Sequence, residues 1–191
     1  MRFRKAIPAV LLLTATAAFF VARSEAQAPK GKDAPKAPAK AAPKAPAAPA
    51  VTQANLGQLM KGIMYINANV IFAAQGTDPA KVAPAKDPSV STDALSSTYG
   101  KWEAVENSSL AIIEGANLLS TPGRKCANGR PVPIANADWA GLVQGVKQAG
   151  MVALKAAQAK DQDKVLDAAD AITTACANCH DKYREKTPRC M

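Results

Sequence analysis

The chain has 191 residues, 48% of them hydrophobic, and its 24 Lys and Arg against 15 Asp and Glu give a formal net charge of +9. Residues 1–28 carry +3 and residues 29–50 carry +4, which leaves +2 for residues 51–191. A nucleic-acid surface needs basic residues clustered on the folded part of a protein, so this charge balance does not indicate one. About 140 residues remain for folding, which is enough for one domain.

Residues 1–28 are typical of an export signal. An apolar stretch, residues 7–21, follows a basic start formed by Arg2, Arg4 and Lys5. The stretch is short for a membrane span, so we expect cleavage rather than anchoring, although an uncleaved membrane anchor is the alternative. Cleavage is expected after Ala28, with Ala26 as second choice. The predicted location is the periplasm, where disulfides are permitted.

Residues 29–51 consist almost entirely of Pro, Ala and Lys. Such a segment cannot bury enough apolar surface to fold, and proline favours an extended conformation. The sequence therefore predicts a linker. Its lysines can make a weak contact with an anionic membrane surface or an acidic partner, and a solvated spacer is the simpler alternative.

Residues 52–191 are divided into four segments of helical length by breaks rich in Gly, Pro and polar residues, at 76–93, 121–136 and 160–163. Apolar positions recur within each segment in steps of three and four. They are Leu56, Leu59, Ile63, Val70 and Ile71 with Met60 and Met64; Trp102, Val105, Ser109, Ile112, Ala116 and Leu119; Trp139, Leu142, Val146, Ala149, Ala153 and Ala156; and Val165, Ala169, Ile172, Cys176, Cys179 and Tyr183. Four such stripes predict an all-α fold, an antiparallel up-down-up-down four-helix bundle.

The fourth segment contains Cys176-Ala177-Asn178-Cys179-His180, and His180 is the one histidine of the chain. C-x-x-C-H is the pattern of covalent haem c attachment. Two thiols three residues apart share a helix face and can each add to a vinyl group, and the adjacent imidazole then falls under the iron. One haem c per chain is predicted. The alternatives are a zinc site completed by Cys126 and Cys190, or a plain disulfide.

The stretch from Cys176 to Arg184, with the letters CANCHDKYR, resembles the cytochrome c prime family and its low-spin relatives. The resemblance covers residues 52–186, and the motif near the C-terminus is its specific part. It implies thioether bonds from Cys176 and Cys179 and proximal iron ligation by His180. Arg184 would lie near the haem and this imidazole and raise the iron's potential electrostatically, or else be a solvated cation at a helix end. Homodimers are frequent in the family.

The resemblance also places the sixth iron position on the first helical segment. Met64 matches the ligand position of the low-spin members, and Met60, one turn earlier, is the second choice. A methionine on an apolar helical face also serves as ordinary core. Asn67 and Asn69 can face a distal ligand, although surface or interhelical hydrogen bonding is the simpler role.

These features predict a periplasmic carrier that passes single electrons to and from redox partner proteins, and no enzyme. The alternative is a five-coordinate haem protein that binds small gases such as nitric oxide. A peroxidase is the least favoured reading, because no second histidine is present for distal acid–base work.

Cys126 and Cys190 remain after haem attachment. In an up-down-up-down bundle the second and fourth helices end on the same side, and these two cysteines follow them. An exported protein is oxidised, so a Cys126–Cys190 disulfide is predicted. Two free thiols on separate segments are the alternative, because direction alone does not bring the Cα atoms within bonding range.

Overall fold

The computed structural model describes residues 52–184 and Cys190. The predicted signal peptide and linker, residues 1–51, lie outside this part of the chain. Residues 52–184 are mainly helical and contain no strand, apart from one isolated bridge between Lys125 and Pro131. The fold of this part is therefore all-α, as predicted. None of its helices is long and apolar enough to cross a membrane.

Four long helices account for most of the described chain. Helix α1 is continuous but changes type along its length: Leu56–Leu59 is α-helical, Met60–Tyr65 forms a π turn, and Ile66–Gly76 is α-helical again. The other helices are α2 (Lys101–Leu118), α3 (Trp139–Ala159) and α4 (Gln162–Tyr183). Three 3-10 turns connect α1 and α2, at Pro79–Lys81, Pro88–Val90 and Ala94–Ser96.

Short polar side chains explain where these elements begin. Oδ1 of Asn55 accepts a hydrogen bond from the N–H of Gln58, and Oε1 of Gln58 accepts one from the N–H of Asn55, so α1 begins with a complete capping box. Asp161 caps α4 by a single hydrogen bond, which its side chain accepts from the N–H of Lys164. Lys160 before it has a left-handed backbone, which ends α3 and reverses the chain within two residues.

The helices pack in sequence order around the core. Helix α2 packs on α3, α3 on α4, and α1 on both α2 and α4. The predicted apolar stripe of α2 is buried at every position. The stripe of α1 is only partly right, because Ile63 and Val70 are half-buried while Met64 is buried. The π turn causes this difference, since the buried positions advance by five residues there, from Leu59 to Met64.

Candidate cofactor site

The last two turns of α4 carry the three motif side chains into one cleft. Cys176 is half-buried, Cys179 is 8% exposed, and His180 follows directly. The cleft has a volume of about 690 Å³, within the range of about 300–1,000 Å³ that is common for small-molecule and cofactor sites. Its lining residues are Gly57, Met60, Lys61, Met64, Tyr65, Ala68, Phe72, Ile112, Leu119, Ala127, Val146, Ile172, Thr173, Cys176, Ala177, Cys179, His180, Asp181 and Arg184.

The wall of the cleft contributed by α1 includes both methionines that the sequence singles out. Met64 is buried, at 7% exposure, whereas Met60 is half-buried. Ile112, Val146 and Ile172 add apolar surface from the other three helices. The structure thus brings a thioether, two thiols and an imidazole to one apolar cleft, with charged side chains confined to Lys61, Asp181 and Arg184 among its lining residues.

Both thiols of the motif are poor candidates for thiolate chemistry. Burial raises the pKa of Cys176. Burial, followed by the neighbouring Cys176 and then Asp138, raises the pKa of Cys179 to about 11. A reactive redox pair instead needs a thiol with a lowered pKa.

The zinc alternative is wrong, because two of its four sulfur ligands are joined to each other. Cys126 and Cys190 form a disulfide with their Cα atoms 4.6 Å apart, which also excludes the free-thiol alternative. Within residues 52–184 and Cys190, no group of three His, Cys, Asp or Glu side chains converges as a chelating site. A haem needs only axial ligands from the protein, so this absence does not bear on it.

The disulfide holds the loop after α2 beside the end of α4. The N–H of Ala127, a lining residue of the cleft, donates to the carbonyl of Cys190 at 3.0 Å. The N–H of Cys190 donates to the carbonyl of Tyr183, the last residue of α4, at 2.9 Å. The crosslink therefore connects one rim of the cleft to the helix that carries the C-x-x-C-H motif.

A polar cluster that sequence reasoning missed fixes the end of α4 against the start of α3. The hydroxyl of Tyr183 donates to Asp138 at 2.7 Å and accepts from Asn136 at 3.0 Å. Lys182 forms an ion pair with Asp138 at 2.5 Å, and this contact, followed by the Tyr183 hydrogen bond, lowers the pKa of Asp138. The ring of Tyr183 also meets Trp139 edge-on, with ring centroids 4.9 Å apart.

Arg124 is also buried, although no pattern in the sequence predicts this, since charged residues rarely occupy a core. It is 7% exposed, and its Nη1 donates to the carbonyl of Ala54 at 2.6 Å. Its Nε donates to the carbonyl of Leu118, at the end of α2, at 3.0 Å. The guanidinium thereby satisfies a helix C-terminus and fixes the chain just before α1.

His180 and Arg184 lie one turn apart at the mouth of the cleft. Nη1 of Arg184 is 3.4 Å from Nδ1 of His180, which matches the expected position of this cation beside the imidazole. Of the two asparagines considered for a distal role, neither lines the cleft. Asn67 donates a hydrogen bond to the carbonyl of Ile63 within α1, so this bond is neither at the surface nor between helices. Asn69 is exposed.

Comparisons of this chain with protein-family models, with curated proteins and with solved structures give no significant match. We therefore infer the function of this protein from the cleft and from the residues of the motif.

Proposed function

We propose that this protein is a periplasmic c-type cytochrome that transfers single electrons through one covalently bound haem, held in an antiparallel up-down-up-down four-helix bundle. The observation that carries the proposal is that two sets of side chains line the same cleft. Helix α4 contributes Cys176, Cys179 and His180 of the attachment motif, and α1 contributes Met64, with Met60 one turn earlier. Methionine and histidine are the axial ligand pair of electron-transfer cytochromes c.

The residues of the cleft fit a haem by their chemistry. The sulfur of each cysteine bonds to the vinyl carbon next to the ring, and its hydrogen goes to the terminal vinyl carbon, so attachment needs no oxidant. Cys176 and Cys179 share a face of α4, as two vinyl groups on one side of a macrocycle require. The apolar lining, contributed by all four helices, matches the flat apolar body of the ring.

A bound haem supplies an iron that changes its charge by one, and the surrounding side chains set how readily it does so. Around a bound haem the apolar walls would exclude water and so disfavour the more highly charged ferric state. Met64 would hold the iron through its thioether and would raise the potential further. Arg184 acts in the same direction, because a guanidinium cannot accept the proton of Nδ1 and so adds only positive charge beside the proximal ligand.

The surface around the cleft favours an acidic redox partner. We define the basic rim as Lys61, Lys125, Arg130 and Arg184, all exposed. Lys61 and Arg184 line the cleft together with one exposed acidic residue, Asp181, and Lys125 and Arg130 lie on either side of Ala127 in the loop that contributes to it. Lys125→Glu is expected to slow electron exchange with an anionic oxidant at low salt, whereas Lys155→Glu on the distant half of α3 is the control. Equal rates for both variants would contradict a basic docking surface.

The gas-binding alternative is also supported by one observation. The Met64 sulfur is packed against α2, at Gly115, and a methionine held there can cover the distal face of the iron without binding it. In that case the iron would be five-coordinate and open to nitric oxide or carbon monoxide.

Absorption spectra of the oxidised and reduced protein, with and without carbon monoxide, test both functions. The proposed carrier is expected to be low-spin and slow to bind carbon monoxide, and Met64→Ala should make it high-spin and fast. Met151→Ala is the matched control, because Met151 is a partly exposed residue of α3 outside the cleft. A wild-type protein that is already high-spin would favour the gas-binding function. Haem that can be extracted with acid–acetone would refute covalent attachment.

A further inference from the structure

The π turn of α1 decides which of its side chains is buried beside the cleft. The buried positions run Leu59, Met64, Ala68 and Ile71, so the step across the π turn is five and the later steps are four and three. An uninterrupted α-helix starting from Leu59 would instead bury Ile63. A π turn changes the hydrogen-bond register of a helix by one residue, and such turns occur frequently at functional sites.

Asn67 supplies local stabilisation at the exit of the turn. The carbonyl of Ile63 accepts a hydrogen bond from the N–H of Ile66 and a second one from Nδ2 of Asn67, at 2.8 Å. The second bond comes from a side chain four residues later, the position whose backbone N–H would bond to this carbonyl in an ordinary α-helix. The side-chain amide therefore ties the returning α-helix to the π turn.

Gly115 of α2 sets how far the Met64 side chain can reach toward α2. A Cβ atom at Gly115 would lie 2.7 Å from Sδ of Met64 and 3.2 Å from Cγ2 of Ile63. An ordinary contact begins near 3.4 Å, so any side chain at this position would displace the sulfur by about 0.7 Å. An internal glycine destabilises a helix, and at this position it leaves the space that the Met64 thioether occupies.

We propose that Asn67 and Gly115 are positioning residues that place the Met64 thioether for the distal face of the haem iron, an inference that rests on the proposed function. Asn67 sets the direction of Met64 around α1, because it maintains the π turn. Gly115 sets the depth of the sulfur, because it leaves open the space that the sulfur occupies. Both act through Met64 and neither lines the cleft itself.

The first test is Gly115→Ala in the haem-loaded protein, with Gly145→Ala as control because nothing lies within 4 Å of a Cβ at Gly145. Gly115→Ala is expected to give a mixed-spin spectrum and to bind carbon monoxide about tenfold faster, as weakening of the sulfur–iron bond predicts. In a Met64→Ala background the same substitution should have no further effect. A persisting effect there, or a wild-type spectrum for Gly115→Ala, would overturn the proposal.

The second test compares Asn67→Val with Asn67→Thr, which have nearly the same shape. The threonine hydroxyl can donate to the carbonyl four residues earlier, and valine cannot. We expect Asn67→Val to raise the high-spin fraction and Asn67→Thr to restore the wild-type spectrum, while Asn69→Val changes nothing. Equal spectra for the Val and Thr variants at position 67 would refute a role for this hydrogen bond.

A third measurement separates this inference from the proposed function. Methionine-methyl NMR of the reduced protein reports the position of Met64 whether or not its sulfur binds iron, and the Met64 signal is the one missing in Met64→Ala. Gly115→Ala should shift this signal and Gly145→Ala should not. An unshifted signal would overturn the positioning role even in a low-spin protein. A shifted signal in a high-spin protein would support the role and refute only methionine ligation.

Discussion

Loss of the Cys126–Cys190 disulfide should destabilise the protein by an amount that the structure allows to be estimated. The bond closes a loop with a sequence separation of 64 residues, for which the chain-entropy model gives about 4 kcal/mol. Both residues are 3% exposed, so alanine at either position also removes a buried sulfur atom, and this smaller packing cost adds to the loss of the crosslink. The backbone bonds of Cys190 to Ala127 and Tyr183 do not involve its side chain and can persist in a variant.

The assay is thermal unfolding of the haem-loaded protein, compared among Cys126→Ala, Cys190→Ala and the double variant. A domain of this size loses about 4 °C in Tm for each kcal/mol, so a fall of about 15 °C is expected. Each single variant already abolishes the crosslink, and the double variant should therefore melt close to either one. When the haem iron is already reduced, a disulfide reductant should lower the Tm of the wild type and leave that of the double variant unchanged.

Two results would refute this reasoning. Single variants whose losses add in the double variant would show that each cysteine stabilises the protein separately, by packing and not by a shared bond. Two titratable thiols in the denatured, non-reduced wild type would show directly that the bond does not form.

Further predictions concern residues outside the haem motif. Asp138→Asn should be less stable than the wild type at neutral pH. The folded-state pKa of Asp138 is lowered, so its contribution is fully present above the ordinary pKa of 3.8 and is lost as the pH falls through the lowered value. Urea unfolding of both proteins should converge in acid, and a constant difference would contradict this. Arg124→Met should lower the free energy of unfolding by about 3 kcal/mol, because the two charge-assisted hydrogen bonds to the carbonyls of Ala54 and Leu118 are lost. Arg124→Lys should recover only part of this stability. An unchanged unfolding midpoint would contradict a stabilising role for these hydrogen bonds. Lys101→Gly should stabilise the protein by about 1 kcal/mol in urea unfolding, because Lys101 has a φ of 58°, which glycine adopts without strain. A loss of stability would show that the backbone at this position carries no strain.

Local sequence patterns are sufficient to predict much of this fold. The breaks rich in glycine and proline predict where α1 ends and where α3 begins, because the residues that stop a helix do so through their own backbone chemistry. The stripe of α2 is buried at every predicted position because an uninterrupted α-helix keeps the 3.6-residue period of its sequence. The C-x-x-C-H motif is likewise a local pattern, and the sequence alone places Cys176, Cys179 and His180 on one helix.

A local pattern does not predict which side chains of α1 are buried from the π turn onward. Its apolar residues allow Ile63 or Met64 at the buried position, and the period of an ordinary helix favours Ile63. The π turn selects Met64 through a side-chain bond from Asn67 and through the space above Gly115, which belongs to a different helix. A pattern along one segment cannot report the space that another segment leaves open.

The sequence by itself determined the helical segments and the chemistry of the motif, because both follow from residues close together in the chain. Only the tertiary structure decided what faces that motif and what holds it in place. The Tyr183–Asp138 bond joins residues 45 positions apart, and Arg124 reaches a carbonyl 70 positions away. Such contacts depend on how the helices pack. Their polar residues resemble ordinary surface residues until packing buries them or brings them together.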